Sequence, residues 1–447
     1  MRWIEVGSRL IAKTLNGVPA MPRVGEPQGD AAEAGSHDRS TRQCLLLVGS
    51  GGQLWREYIL KSVADFYDLW LFAPKEPTWE SRYLRGNTIV DTLDAFESIE
   101  AAVRLTESVE MAGVLCYDEI RVPIAARMAE ELKLPTANAE GVLACRDKHL
   151  GRQALAAAGV AQPVSRAVAS LEEAREAAGA IGYPVVLKPR ALAASVGVVR
   201  ADGPEALDSA YSEAAAAYFD EIPRDRAWVL VEEYLDGPEI SVESVCHNGR
   251  VTPMFVARKA LGFAPHFEEV GHTVSADDPL LHDPEVRRVL QEAHTALGLD
   301  TLVTHTELRL TRTGPRLVEV NARLGGDLIP YAARLATGVD YGMVAADLAA
   351  GGRPDVAPVR TASAHVEFLY PEHDLDVTSL TVEEELPAGV HEVTPMAEPG
   401  RRLRLPPRDH VAGRYAYVVT TGVSPQECAD ALRAATPLVR LAGTPVD

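Results

Sequence analysis

Residues 317–327, Leu-Val-Glu-Val-Asn-Ala-Arg-Leu-Gly-Gly-Asp, constrain this chain more than any other stretch. They read as a β-strand ending in a Gly-Gly loop. Strand side chains two apart share a face, so Glu319, Asn321 and Arg323 project together. A carboxylate, an amide and a guanidinium are costly to bury in a core. They suit Mg²⁺ and phosphate, because Mg²⁺ takes hard oxygen ligands from one or two carboxylates and from a substrate's phosphates.

A second strand, residues 303–310, sets His305, Glu307 and Arg309 on one face. The turn-rich segment 311–315 joins the two strands, and its Gly and Pro favour a hairpin. Pairing symmetric about Thr313 places Glu307 opposite Glu319. Two facing carboxylates repel, and a divalent cation between them removes the repulsion. A merely solvated polar face is the plain alternative, but it leaves Glu, Asn and Arg together ahead of Gly-Gly unexplained.

With 447 residues the chain can hold two or three domains and a large core. A net charge of −20 argues against a nucleic-acid partner, which needs basic patches. The same charge repels an anionic substrate at long range, so an anion site must carry its own cations. The five cysteines are scattered and lack a Cys-x-x-Cys spacing, which indicates neither a disulfide framework nor a zinc site. No apolar run reaches membrane-spanning length, and the first residues lack the continuous apolar core of a signal peptide. The expectation is a cytoplasmic protein with no membrane partner.

Residues 1–42 read as a weakly amphipathic helix followed by a disordered linker rich in Pro, Gly, Glu and Ser. Residues 43–140 alternate strand and helix: strands at 44–48, 69–73 and 113–117, helices at 53–65 and 120–132. This pattern predicts a doubly wound parallel sheet. The Gly49–Gly52 turn lacks dinucleotide-binding spacing, since Leu54 stands where the third Gly belongs. Further on, the sequence predicts a helix over 145–158 ended by Gly159, and capping boxes at Ser170/Glu173 and Ser424/Glu427. Strands follow at 185–189 and 228–231, and more short ones beyond residue 353.

Four pieces in the middle suit a nucleotide. Lys188 closes the apolar strand 185–189, where its ammonium can reach a phosphate above the sheet. The loop 191–197, with Ser195, is built mainly of small residues that let backbone N–H groups approach phosphate oxygens. Lys148 sits in the first turn of its helix, where the dipole disfavours a cation unless a phosphate is bound. The segment 229–239 runs from an apolar strand through Glu232, Glu233, Tyr234 and Leu235 to a Gly-Pro turn and Glu239, and its backbone can face an adenine edge.

In this order the motifs resemble the ATP-grasp superfamily over roughly residues 44–447. Within it, Glu319-x-Asn321-x-Arg323-x-Gly325-Gly326 and Glu269-Val-Gly-His272-Thr resemble the L-amino-acid ligases that make dipeptides. The resemblance implies an α/β fold, α+β in its C-terminal half. Its parts would be a Rossmann-like domain at 43–140, a lid subdomain at 141–235, and a C-terminal domain at 236–447 with a small lobe from about 355. It implies that Lys148 and Lys188 contact ATP phosphates. Glu233 and Leu235 would offer backbone contacts to adenine, Glu232 would reach its amino group, and Glu239 would hold ribose. Glu307 and Glu319 would ligate Mg²⁺ with Asn321 on a second ion, Mn²⁺ being an alternative metal. Arg323 would hold the transferred phosphoryl and the reacting carboxylate, and His272 and Gly326 would line the amino-acid site. The loop 191–197 departs from many relatives in having a single Gly. The implied reaction is ATP-dependent joining of a carboxylate and an amine, of two amino acids or an amino acid and a related amine, through an acyl phosphate, giving ADP and phosphate. Bicarbonate or a nucleotide-precursor amine as acceptor is the rival reading, a non-catalytic ATP-binding protein is a more distant one, and a homodimer is left open.

Overall fold

The computed structural model describes residues 42–218 and 228–446. The helix and linker expected in the N-terminal 42 residues lie almost wholly outside them.

The chain opens with β1 (Cys44–Val48), α1 (Gln53–Ala64), β2 (Asp68–Ala73), β3 (Gly86–Ile89), α2 (Ala95–Thr106), β4 (Met111–Leu115) and α3 (Val122–Glu131). The four strands pair in parallel in the order β3-β2-β1-β4. Leu45 and Leu47 face one apolar core with α1, while Cys44, Leu46 and Val48 face another with α2 and α3. A strand buried on both faces has no need of alternation, which is why Cys-Leu-Leu-Leu-Val is apolar throughout. The strand expected at 113–117 begins two residues earlier, and β3, short and of mixed character, was not foreseen.

The helix expected over 145–158 is two helices, α4 (Ala139–Arg146) and α5 (Lys148–Ala157). Asp147 breaks them: its backbone is extended and its carboxylate accepts from the amides of His149 and Leu150, capping α5. Arg190 holds that carboxylate in turn, at 2.6 Å. Both helices pack into the core of the large sheet below.

Next come β5 (Ser165–Val168), α6 (Leu171–Ile181), β6 (Val185–Pro189), β7 (Val199–Ala201), α7 (Pro204–Ala216) and β8 (Val229–Glu233). They form a four-stranded antiparallel sheet, β5-β8-β6-β7, with α6 and α7 on it. Ser170 caps α6 through the Glu173 amide. The Glu173 carboxylate reaches back one residue further than a capping box requires, to the amide of Ala169.

The rest is built on β9 (Glu239–His247), β10 (Arg250–Gly262), β11 (Glu268–Ser275), α8 (Pro284–Ala296), β12 (Leu302–Thr311), β13 (Gly314–Asn321), α9 (Ile329–Thr337), α10 (Tyr341–Ala349) and β14 (Ser363–Leu369). After them come β15 (Leu375–Val382), β16 (Val390–Pro395), β17 (Arg402–Leu403), β18 (Ala416–Gly422), α11 (Pro425–Ala435) and β19 (Val439–Pro445). Eight strands make one antiparallel sheet, β13-β12-β9-β10-β11-β14-β18-β16, and β17-β15-β19 make a small one. The mixture of a parallel α/β layer and large antiparallel sheets is the fold class read from the sequence. No helix among the described residues is long and apolar enough to cross a membrane. Their five cysteines are all free thiols, and burial pushes the Cys44 thiol up to about 11.

Candidate active site

The β12–β13 hairpin sets the site's geometry. Its turn is tight, Thr311 pairing with Gly314, which displaces the pairing by one from symmetry about Thr313. A bulge at Val318 restores it, and Glu307 faces Glu319. The pair survives because cations flank it. Lys259 of β10 bonds Glu307, and the Lys148 ammonium lies 3.2 Å from Glu319. Asn321 donates to Glu319 at 2.9 Å. Burial pushes the Glu307 carboxyl up, but Lys259 and His305 outweigh it and hold the group well below its ordinary range. Glu319 is held down in the same way, burial being opposed by Lys148 and Lys188. Among the described residues no three His, Cys, Asp or Glu side chains form a ligand cluster. The donor set of two facing carboxylates and one amide oxygen still fits a hard cation, provided phosphate oxygens complete the shell.

The hairpin borders a cleft between the four-stranded and eight-stranded sheets. Lys188 enters it from β6, 5% exposed, with its ammonium 2.7 Å from Glu232. Burial lowers the Lys188 pKa, and Glu232 only partly opposes this. Arg152 of α5 forks the same Glu232 carboxylate at 2.7 and 3.0 Å and donates to the Val318 carbonyl at 2.7 Å. Glu232 is thus committed to two cations, and its expected reach toward an adenine amino group gives way to this ion triad. Lys148 also donates to the Leu192 carbonyl at 2.7 Å, which ties the loop 191–197 to the metal-side carboxylates. That loop lines the cleft with Ser195. Having one Gly, it places Ala194 and Ser195 as well as Gly197 in the left-handed region. At Gly197 a Cβ would stand 2.5 Å from that of Ala217, so only glycine fits there.

At the other end, Tyr234 and Leu235 line the wall. The Glu233 carboxylate turns to Arg316, at 2.6 and 2.8 Å, and to the amide of Val164. Glu239 also lines the cleft, its carboxylate 2.9 Å from Arg309 and 3.5 Å from Lys259.

Three expected residues sit elsewhere. β13 ends at Asn321, so Arg323 lies past the strand; its guanidinium bonds Glu119 at 2.5 Å and the Leu324 carbonyl at 2.7 Å, away from the cleft wall. Its acid partner therefore comes from the segment between β4 and α3, whereas Asp327 pairs with Arg414. His272 is wholly buried beneath the cleft, its Nδ1 2.8 Å from Glu269. It orients a wall residue and does not line the wall. Gly326 is not on the cleft wall either, though open space lies where its side chain would be. Sequence reasoning missed Lys259 and Arg414 and gave Glu269, quoted only as part of a motif, no role; all three line the cleft. Lys259 bonds or neighbours Glu239, Glu269 and Glu307, and only the pairing of β10 with β9 and β11 brings these together. Burial pushes the Glu269 carboxyl up, but Lys259 and His272 bring it down to about 2.

Residues 181–331 match the family model of the ATP-grasp domain. An uncharacterised protein of Sinorhizobium fredii (strain NBRC 101917 / NGR234) is 29% identical over 359 residues, covering 79% of this chain and 72% of that protein. The alanine–anticapsin ligase of Bacillus subtilis (strain 168) is 27% identical over 308 residues, covering 62% of this chain and 63% of the ligase. The chain thus spans under two thirds of that ligase's length. In structure, the L-amino acid ligase from Bacillus licheniformis superposes with a TM-score of 0.75 at 20% identity, covering 90% of this chain and 99% of that one.

Proposed function

Starting from an ATP-grasp chain that resembles the L-amino-acid ligases, we propose that it is an ATP-dependent carboxylate–amine ligase joining two amino acids. The facing pair Glu307 and Glu319, flanked by Lys148 and Lys259 in the wall of the cleft, carries this reading. Glu307, Glu319 and Asn321 would hold divalent metal, which when bound supplies positive charge against the phosphates. Lys148 and Lys188 line the same cleft and offer charge-assisted donors to phosphate oxygens. The substrate carboxylate attacks the γ-phosphorus, ADP leaves, and an acyl phosphate results. The amine nitrogen then attacks the acyl carbon, loses a proton and expels phosphate. The chain's part is positioning and electrostatic stabilisation, with the loop 191–197 and the four-stranded sheet covering the cleft against water.

Turnover over a pairwise matrix of amino acids, read as ADP and phosphate with product masses, tests the reading. AMP and pyrophosphate as products would exclude the acyl-phosphate route. Product formed only with bicarbonate or a nucleotide-precursor amine would move the chain to the other ATP-grasp acceptors.

A further inference from the structure

The cleft has an end that the phosphate chemistry leaves unused. There Arg414 lines the wall between the turn 411–413 and β18, 1% exposed. Its guanidinium is fixed on every side but one. Nε donates to the Tyr370 hydroxyl at 2.9 Å, and Nη2 to the Glu269 carbonyl at 3.0 Å and to Asp327 at 2.9 Å. The planar group lies 3.7 Å from the centre of the Phe368 ring. The backbone just before it is pinned as well, since a Cβ at Gly413 would stand 2.3 Å from the Arg404 carbonyl. Nη1 alone has no hydrogen-bond partner. A buried guanidinium nitrogen without an acceptor is costly, and a native protein that keeps one has a use for it.

Asp327 stands beside it. It lines the same cleft, and its backbone and that of Leu328 both hold the left-handed conformation that such side chains rarely adopt, with φ of 49° and 63°. Only Oδ2 of Asp327 is committed to Arg414, and the side chain remains 26% exposed. Glu268 also lies 3.6 Å from Arg414 Nη2, and its two oxygens already take the Tyr370 hydroxyl at 2.6 Å and His410 at 3.0 Å. A fixed cation with one buried, unpartnered nitrogen thus adjoins a carboxylate with one uncommitted oxygen. A bare amine or a bare carboxylate would satisfy only one of them. A zwitterion satisfies both and brings no net charge into a buried place.

We propose that Arg414 and Asp327 seat the amine-donating substrate as an α-amino acid, Arg414 Nη1 taking its carboxylate and Asp327 lying near its amino group. The assignment rests on the ligase reading above and deepens it: it names the two side chains that would select the amine-donating substrate by its free carboxylate.

The test holds the carboxylate partner constant and compares kcat/KM for one amino acid as the free acid, as its primary amide and as the decarboxylated amine, by ADP release and product mass. The wild-type chain should favour the free acid by about tenfold to a hundredfold, the range of one charge-assisted contact. Arg414→Gln should erase that preference through the KM of the free acid, with the MgATP Kd little moved, and Arg414→Lys should recover part of it. Equal wild-type use of acid and amide overturns the anchor and leaves the ligase standing. No ADP from any pair of substrates overturns the ligase reading and the anchor together. Should Arg414→Gln fail to fold, the wild-type preference alone decides.

Discussion

β1 and β12 are both interior strands, and they solve opposite problems. β1 carries five apolar residues, all buried, between two helical layers. β12 carries His305, Glu307 and Arg309 on one face, and every one of these is matched by opposite charge from a neighbour. Glu243 lies 2.5 Å from His305, Lys259 bonds Glu307, and Glu239 lies 2.9 Å from Arg309. The first strand is stabilised by removing surface from water, and any apolar residue of the right volume serves. The second is stabilised only as a set, because an ion buried without its partner costs more than the pair contributes. Damage to β1 should therefore appear as lost stability with chemistry intact, and damage around β12 as lost chemistry or as a disproportionate loss of stability.

The sharpest test is Glu319→Ala. It removes one of the facing carboxylates and should lower kcat by about 10³-fold or more, beyond the loss of a single preorganised electrostatic contact. The melting temperature should change little, since the mutation also relieves the Glu307–Glu319 repulsion. Near-native kcat would remove Glu319 from the machinery. Lys259→Met comes next. It leaves Glu239, Glu269 and Glu307 without their shared cation, and denaturant unfolding should show a loss of roughly 3–5 kcal/mol. A loss under 1 kcal/mol would mean that water already screens the cluster. Leu46→Ala is the counterpart in β1, expected to cost roughly 2–5 kcal/mol with kcat unchanged at temperatures where the variant is folded. A fall in kcat there would break the division drawn between the two strands.

The narrowest effect is a pH dependence, confined to the acid side of the stability profile. His294 of α8 is buried under β12, its ring between the Leu290 carbonyl at 2.7 Å and the Thr304 hydroxyl at 2.8 Å. Burial lowers its pKa from 6.5 to about 4. The unfolded chain therefore takes up the proton first as pH falls. The stability from the neutral ring is fully present above pH 6.5 and is lost between there and about pH 4, amounting to roughly 3 kcal/mol. His294→Gln should flatten that part of the stability profile; an unchanged slope would assign the acid sensitivity to other groups.

The two strands also differed in how far they could be read in advance. The apolar run of β1 and the period-two polarity of β12 and β13 are local signals, and the facing of Glu307 and Glu319 followed from them. It did so through a tight turn and a compensating bulge at Val318 that no local signal announced. Lys259 and Arg414 stayed hidden for another reason. Each is one charged residue in an unremarkable segment, and its meaning comes from sheet order, which brings β10 beside β9 and β11 and carries Arg414 across to Asp327. Arg323 was misplaced because alternation was extended two residues past the end of β13. The break at Asp147 escaped because helix-forming residues flank it on both sides, and its capping bonds prevail over their propensity.

The ion triad of Arg152, Glu232 and Lys188 has a mechanical consequence. Arg152 belongs to a helix in the core of the eight-stranded sheet, and Glu232 to the middle of the four-stranded one. Sliding one sheet over the other would pull a buried, two-pronged ion pair apart, whereas turning about that pair leaves it whole. Rotation is thus the cheap motion and translation the expensive one. Lys188, beside the axis, would keep its station, as would Leu192, which Lys148 holds by its carbonyl, while the later part of the loop 191–197 sweeps the larger arc. Hydrogen exchange would carry the signature: amides of β8 protected as long as those of β12, and amides of the loop released much sooner. Equal release from β8 and the loop would mean that the sheet peels away and does not swing.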